Sequence, residues 1–405
     1  NGVQVGDFVI FSGAVGLGGN ITATVLNSEF RVTAVNNSNQ FTVTATATAN
    51  GSDTGTGGAS VVGYAQTSVG NASFSYATGW GTGGWGGYNG ASGTSTGWGQ
   101  SSAAGLGVIQ RLWSQASFGE NLIFAYRGGP MNFWAVNPSP SNFDRGQVIV
   151  AGSTIVQKNY ATGAGTTSVT IDATCPSQIN QVMVSDVSRF VIAMGCNQYG
   201  SLTFDPMVVR WSDQENPYQW VPDVTNQAGE FRLSNGSFIV TYKNTRQEIL
   251  VWTDTALYSQ QYLGTPYIYS FNPISVDITI VGPNAATTTN GITYWMGENK
   301  FYAYNGVVST LPCTVRQHVF NNINYQQSAQ IVSGNNEQWN EVWWFYCSAN
   351  SDVIDRYVVY NYLDRVWYYG SLTRTSWLDS SLRVNPMATD VFAYDFLGNP
   401  EGRII

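Results

Sequence analysis

Six short segments of this chain share one pattern: an apolar run reaches an aromatic residue or valine and then meets Asn or Asp. They are NFWAVN ending at Asn137, MVVRWSD at Asp213, EILVWTD at Asp254, KFYAYN at Asn305, RYVVYN at Asn361 and DVFAYD at Asp395. Apolar runs of this length that stop at Asn or Asp read as strands entering turns, because those side chains bond the backbone two residues on. The residues Val136, Trp211, Trp252, Tyr304, Tyr360 and Tyr394 lie 75, 41, 52, 56 and 34 positions apart. A four-stranded propeller blade takes ~40 to 50 residues, so most of these spacings fit one blade each. The expectation is an all-β chain with a β-propeller over 108–405, and with Trp211, Trp252, Tyr304 and Tyr360 at corresponding positions on four sheets. The overlong first interval holds IVQKNYATGAGTTSVTIDATCP, which reads as an inserted hairpin.

Each of these strands is followed by a turn and another aromatic-bearing strand, as in SDQENPYQW, NGVVSTL and NYLDRVWYYG. Asn305-Gly306 suits a type I′ hairpin, whose two central residues both need positive φ. Inward aromatics from neighbouring blades would stack into the core, which accounts for an aromatic content of 14%. Charged residues are only 10% of the chain, so solubility rests on Asn, Gln, Ser and Thr.

Ahead of the propeller, GDFVIFSG, EFRVTAV and QFTVTATA alternate in apolar runs between Gly- and Asn-rich turns, as in a small β-barrel or sandwich module over 1–68. A Gly/Ser/Trp-rich connector over 69–107 follows. Its stretch GWGTGGWGGYNGASGTSTGWGQ carries Trp80, Trp85 and Trp98 among ten glycines. A mere spacer gains nothing from tryptophans. The stretch reads as an ordered strap whose tryptophans are buried against the propeller or a neighbouring subunit. The chain starts at NGVQVGDF and stops at EGRII, which reads as an internal part of a longer polypeptide, so the propeller is expected to be incomplete at its ends.

The net charge of −8, with three lysines and fourteen arginines, offers no basic cluster for gripping phosphates. There is no apolar window long enough for a membrane span. Cys175, Cys196, Cys313 and Cys347 show no metal-ligand spacing and are expected to be buried free thiols, with one or two disulfides as the alternative. His318 is the lone histidine, and nothing near it offers ligand or triad spacing. No catalytic residue, cofactor or metal site is expected. Asp352 and Asp355 read as a solvated loop in preference to a weak cation site.

The segment Ser212 to Trp220 is similar to the Asp-box hairpin of sialidase-type propellers, without that motif's central glycine. Asp213 and Glu215 resemble a glycosidase pair, but turn chemistry needs the same residues without catalysis. Asp213, Trp220, Asp254, Asn305 and Asn361 are therefore read as structural or interface positions, as are Trp211, Trp252, Tyr304 and Tyr360.

VRWSDQENPYQWVP, ILVWTDTALYSQQYLG and DRYVVYNYLDRVWYYGSL, preceded by VQVGDFVIFSG and the Gly/Trp tract, resemble the tail hub or nozzle proteins of short-tailed bacteriophages, also called packaged-DNA stabilisation proteins. The resemblance is most specific over 207–370. It implies a structural protein of the virion tail: a homohexameric ring below the portal and an adaptor ring, touching tail fibres or spikes. Such a ring retains packaged double-stranded DNA and conducts it during ejection without sequence-specific binding. Six copies at −8 each carry −48, a sign that lets phosphates slide instead of gripping them. The alternatives are a glycan-binding propeller with exposed tryptophans as sugar platforms and a glycoside hydrolase using Asp213 and Glu215.

Overall fold

Alternating burial along EFRVTAV, with Phe30 and Val32 inward and their neighbours outward, is what a half-buried strand requires. The structure, a computed structural model, describes residues 8–37, 40–65, 72–75, 88–89, 94–95, 106–109, 111–136, 146–158, 166–185, 188–380, 382–383, 385–390, 393–394 and 400–401. It divides into two units, Asn1–Val108 and Ile109–Ile405.

In the first unit, β1 (Phe8–Ser12), the short helix α1 (Ala23–Leu26), β2 (Glu29–Asn37), β3 (Gln40–Val43) and β4 (Val62–Ala65) make a small module. Its strands form one antiparallel sheet in the order β3-β2-β1-β4. The turn around Asp53 is tied by that carboxylate, which accepts the backbone N–H groups of Gly19, Asn20, Ile21 and Asn50 at 2.8–3.0 Å. Further on, β5 (Ala72–Ser75) pairs β8 (Leu106–Ile109), and β6 (Tyr88–Asn89) pairs β7 (Thr94–Ser95). Trp80, Trp85 and Trp98 lie outside the described residues.

The second unit is a series of four-stranded antiparallel meanders, each in chain order. Sheet one holds β9 (Trp113–Phe118), β10 (Asn121–Tyr126), β11 (Met131–Trp134) and β12 (Gln147–Ile149). The hairpin β13 (Thr154–Lys158) with β14 (Thr166–Thr170) follows, where the overlong interval places an insertion. Sheet two holds β15 (Ile179–Val184), β16 (Val191–Asn197), β17 (Phe204–Trp211) and β18 (Gly229–Arg232). Sheet three holds β19 (Ile239–Asn244), β20 (Ile249–Thr253), β21 (Ala256–Tyr262) and β22 (Tyr269–Val276). Sheet four holds β23 (Ala286–Thr289), β24 (Ile292–Met296), β25 (Phe301–Tyr304) and β26 (Val308–Leu311). After the helix α2 (Arg316–Phe320), sheet five holds β27 (Val332–Asn336), β28 (Glu341–Tyr346), β29 (Arg356–Asn361) and β30 (Val366–Gly370). The pairs β31 (Ser376–Leu378) with β32 (Met387–Thr389) and β33 (Ala393–Tyr394) with β34 (Pro400–Glu401) complete the unit.

Successive sheets meet through their first strands, β9 with β15, β19 with β23, β23 with β27, and β27 with β31. Sheets two and three are joined by Gln181 Nε2 donating to Thr241 Oγ1 at 3.3 Å and by the Tyr242 hydroxyl donating to the Val182 carbonyl at 3.1 Å. Repeated meanders packed in this way define a β-propeller, and the chain is an all-β protein of that class. Aromatic rings fill the layers between sheets. Trp252 meets Trp295 edge-on at 5.4 Å between sheets three and four, and Phe301 meets Trp344 at 4.9 Å between sheets four and five. All four rings are fully buried, and truncating one of them to Ala should cost ~3–5 kcal/mol.

Two sequence expectations need correction. Trp211, Trp252, Tyr304 and Tyr360 sit on four different sheets, but their positions do not all correspond: Trp211 and Tyr304 end third strands and Tyr360 is the last residue but one of a third strand, whereas Trp252 lies on β20, a second strand. The apolar-to-Asx pattern marks entry into any tight hairpin, and in sheet three the hairpin closed by Asp254 is the one between the second and third strands. Asn305-Gly306 is not a type I′ turn either. Tyr304 pairs Val308, so the loop has three residues, and of Asn305 and Gly306 only the glycine takes a positive φ, +101°. The four cysteines are free, with Cys175, Cys196 and Cys347 buried and Cys313 half-buried.

Candidate functional site

In a meander, the turns joining first to second and third to fourth strands lie at the same end. Across neighbouring sheets these turns are bonded to one another. The Tyr304 hydroxyl donates to Glu248 Oε1 at 2.6 Å, Asn290 Nδ2 donates to the Tyr362 hydroxyl at 3.1 Å, and Thr289 Oγ1 donates to Glu337 Oε1 at 3.4 Å. Burial, together with the Glu248 carboxylate it bonds, pushes the Tyr304 hydroxyl up. This end of the propeller also presents exposed apolar side chains. The third-to-fourth turns of sheets two to five carry Val224, Tyr267, Val307 and Leu363, all at least two-thirds exposed, and the first-to-second turn of sheet five adds Trp339.

The sequence-derived candidates fall mostly under or within these turns, as supports. Trp211 Nε1 donates to the Gln227 carbonyl at 2.9 Å, and Asp213 Oδ1 accepts the Gln227 N–H at 2.9 Å. Trp220 is buried, and its indole N–H donates to the Pro217 carbonyl at 2.9 Å. Beneath it, the buried Arg210 guanidinium donates to the Trp220 carbonyl at 3.1 Å. The left-handed conformation this turn needs is supplied by Glu215, at φ +56°. The Glu215 carboxylate is exposed and lies 3.8 Å from Arg189.

Asp254 Oδ1 accepts the Ser237 N–H at 2.7 Å, and Asn361 Oδ1 accepts the Leu363 and Asp364 N–H groups at 3.0 and 2.9 Å. Asn305 is exposed at the tip of its loop. His318 is exposed on α2, its ring tilted against that of Tyr369 with centroids 4.1 Å apart. Asp355 closes the β28–β29 hairpin by accepting from the backbone and the hydroxyl of Ser348, both at 2.7 Å. No group of three or more potential metal ligands occurs among the described residues.

The same end holds a cleft of about 230 Å³ between sheets two and three that sequence reading missed. Its lining includes Asn244, Arg246, Glu248, Gln260, Tyr262 and Tyr269. Gln260 is 1% exposed, and among the described residues neither its Oε1 nor its Nε2 has a hydrogen-bond partner. Buried amides are ordinarily paired, so this one stands as an exception among the described residues. Glu248 is fully engaged: it accepts from the Ser259 hydroxyl, from Gln261 Nε2 at 3.3 Å and from Tyr304. Tyr269 is buried with its hydroxyl on Ser188 at 3.1 Å, and the half-exposed Tyr262 ring packs against it edge-on at 5.8 Å. The signal was present in ALYSQQY, where Gln260 follows Tyr258 by two and shares its strand face.

The first strands nearest the propeller axis, β9, β15, β19, β23 and β27, carry no Asp or Glu, and Lys243 is their one charged residue. The chain's acidic balance is therefore held elsewhere.

No protein-family profile and no curated protein sequence matches this chain. Among solved structures it is similar to Hsv2 of Kluyveromyces lactis, at 13% identity and a TM-score of 0.35 over 69% of each chain. It is also similar to the extracellular domain of a putative one-component system of B. thetaiotaomicron, at 10% identity and a TM-score of 0.35, over 73% of this chain and 30% of that one. The propeller class rests on the sheets themselves. No helix among the described residues is long and apolar enough to cross a membrane.

Proposed function

We propose that this chain is a non-enzymatic structural subunit of a virion tail. In this reading six copies form the hub or nozzle ring of a short-tailed bacteriophage, attached to an adaptor ring and touching fibres or spikes, and pass genomic double-stranded DNA without reading its sequence. The observation that carries the assembly reading is the row of exposed apolar residues on the turn end. Single exposed apolar side chains are ordinary, but Val224, Tyr267, Val307 and Leu363 occupy the equivalent turn of four consecutive sheets. A docking edge on a neighbouring protomer or adaptor would cover them. The assignment to a phage tail rests on the sequence resemblance over 207–370.

Two further observations support a structural role. Asp213, the candidate for glycosidase chemistry, spends its carboxylate on the Gln227 N–H, and Glu215 faces Arg189. The negative net charge also suits passage of DNA more than its retention by contact. Imaging of virions labelled with an antibody to this chain tests the proposal. Label on a six-fold ring below the portal is expected; label confined to the capsid shell, or none on the particle, would overturn it.

A further inference from the structure

We propose that Asn305, at the tip of the β25–β26 turn, modifies itself: the backbone nitrogen of Gly306 attacks its side-chain amide, and the residue ends as Asp or isoaspartate. The reaction balances without a cofactor. The Gly306 nitrogen gives its proton to solvent hydroxide and bonds to Asn305 Cγ, while the Cγ–Nδ2 bond breaks with release of ammonia. The cyclic succinimide then takes up one water and opens at either carbonyl, leaving Asp or isoaspartate. Ring closure is favoured by a following residue without a Cβ, by an attacking N–H that bonds nothing else, and by a side-chain amide at liberty to swing onto it. A Cβ built on Gly306 would meet nothing within 4 Å, so the turn is open. Among the described residues the Gly306 N–H has no acceptor and the Asn305 side chain has no hydrogen-bond partner. Asn305, Gly306 and Val307 are all exposed, so water and hydroxide reach this tip.

The same dipeptide occurs three more times wholly within the described residues, and each time the fold holds it. Asn50 donates through Nδ2 to Asn20 Oδ1 at 3.1 Å and accepts the Ser52 N–H through Oδ1 at 2.9 Å, so its amide is fixed at both ends. Asn290 Nδ2 donates to the Tyr362 hydroxyl at 3.1 Å. The backbone of Asn235 is pinned by the Tyr258 hydroxyl, which accepts its N–H at 2.7 Å, and by the Thr253 hydroxyl, which donates to its carbonyl at 3.0 Å. A Cβ on Gly236 would lie 2.6 Å from Thr253. Asn305 makes only a long backbone bond, its N–H to the Val307 carbonyl at 3.5 Å. The charge gained stands beside Val307, which is 71% exposed. In the assembly reading above, on which this consequence alone rests, a carboxylate there must be desolvated on docking, so conversion marks protomers left outside the ring.

The test incubates the full native chain in mildly alkaline buffer, beside the same chain held unfolded in urea, and follows the four sites by peptide mass mapping with enzymatic methylation of isoaspartate. In the native chain Asn305 should convert at least tenfold faster than Asn50, Asn235 or Asn290 and yield both products, because its turn is the least restrained. In the unfolded chain the four rates should draw together, since the dipeptide is shared and only the fold separates them. Gly306→Ala should slow conversion at Asn305 at least tenfold, with the melting transition and the other three sites unchanged, because a Cβ crowds the closing ring. Equal rates at the four native sites, a preference for Asn305 that persists on unfolding, absence of isoaspartate, or undiminished conversion in Gly306→Ala would each overturn the proposal. Asn305→Asp separates the modification from its consequence: the variant should weaken the six-copy species in native mass measurement. A hexamer indifferent to that change, or no hexamer at all, would overturn the consequence and leave the modification standing.

Discussion

The carboxylate of Asp172, just beyond the inserted hairpin, accepts the backbone N–H groups of both Trp220 and Val221, the second at 2.8 Å. The insertion is thereby fastened to the loop that carries the segment WSDQENPYQW. Hydrogen bonds to a charged acceptor contribute ~1.5–3 kcal/mol, so Asp172→Ala should lower unfolding stability by about that much. Denaturant titration followed by tryptophan fluorescence checks this. An unchanged midpoint would mean the insertion is not coupled to the loop.

Gly334 on β27 makes room for Trp377 of β31. A Cβ at that position would lie 2.2 Å from the Trp377 ring, whose N–H donates to the Asn335 carbonyl at 2.7 Å. Gly334→Ala should cost ~1–3 kcal/mol through overpacking. In a Trp377→Ala background the same change should cost almost nothing. Additive losses would show that the ring does not sit on this glycine.

Gln260 is a stability cost in this fold. Replacing its unpaired amide with a methionine of similar size removes two buried unsatisfied polar atoms, each worth ~1–3 kcal/mol when stranded. Gln260→Met should therefore melt at a temperature equal to or higher than the parent in calorimetry. A clear fall in melting temperature would show that the amide already has its partner.

Burial disfavours the charged Asp53 carboxyl, but its bonds from Asn50, Ile21, Asn20 and Gly19 outweigh this and hold it below the ordinary value. The stability these bonds add is fully present above the unfolded-state pKa of ~3.9 and is lost as pH falls through the lower folded value. Limited proteolysis across 8–65 should accelerate below about pH 4, and Asp53→Asn should flatten that dependence. Equal pH profiles for the two proteins would contradict the assignment.

Burial also raises the thiols, Cys196 and Cys347 to about 12 and Cys313 to about 11. The native protein should react slowly with maleimide near neutral pH and yield four thiols once unfolded. Fewer than four on unfolding would reveal a disulfide.

The sheets were legible in the sequence because strand entry into a turn leaves a local mark, an aromatic followed by Asn or Asp. That mark does not say which turn of the meander it closes, and Trp252 falls on a second strand for that reason. Asn305-Gly306 misled similarly: the dipeptide suggests two left-handed residues, while loop length, set by the pairing of Tyr304 with Val308, allowed one. The Gln260 cleft was less legible still. Its defining property is a partner that neighbouring strands fail to supply, and that depends on how sheets two and three meet. The structural use of Asp213 and Trp220 was readable, since turn residues are specified over a few positions.

Native mass measurement of the purified chain tests the central claim, that this propeller is built to assemble. The account expects a species near 264 kDa, six times 44.0 kDa, that breaks down when Val307 and Leu363 on the turn end are both changed to Ser. A chain that stays at 44.0 kDa, or a hexamer indifferent to those two changes, would contradict it.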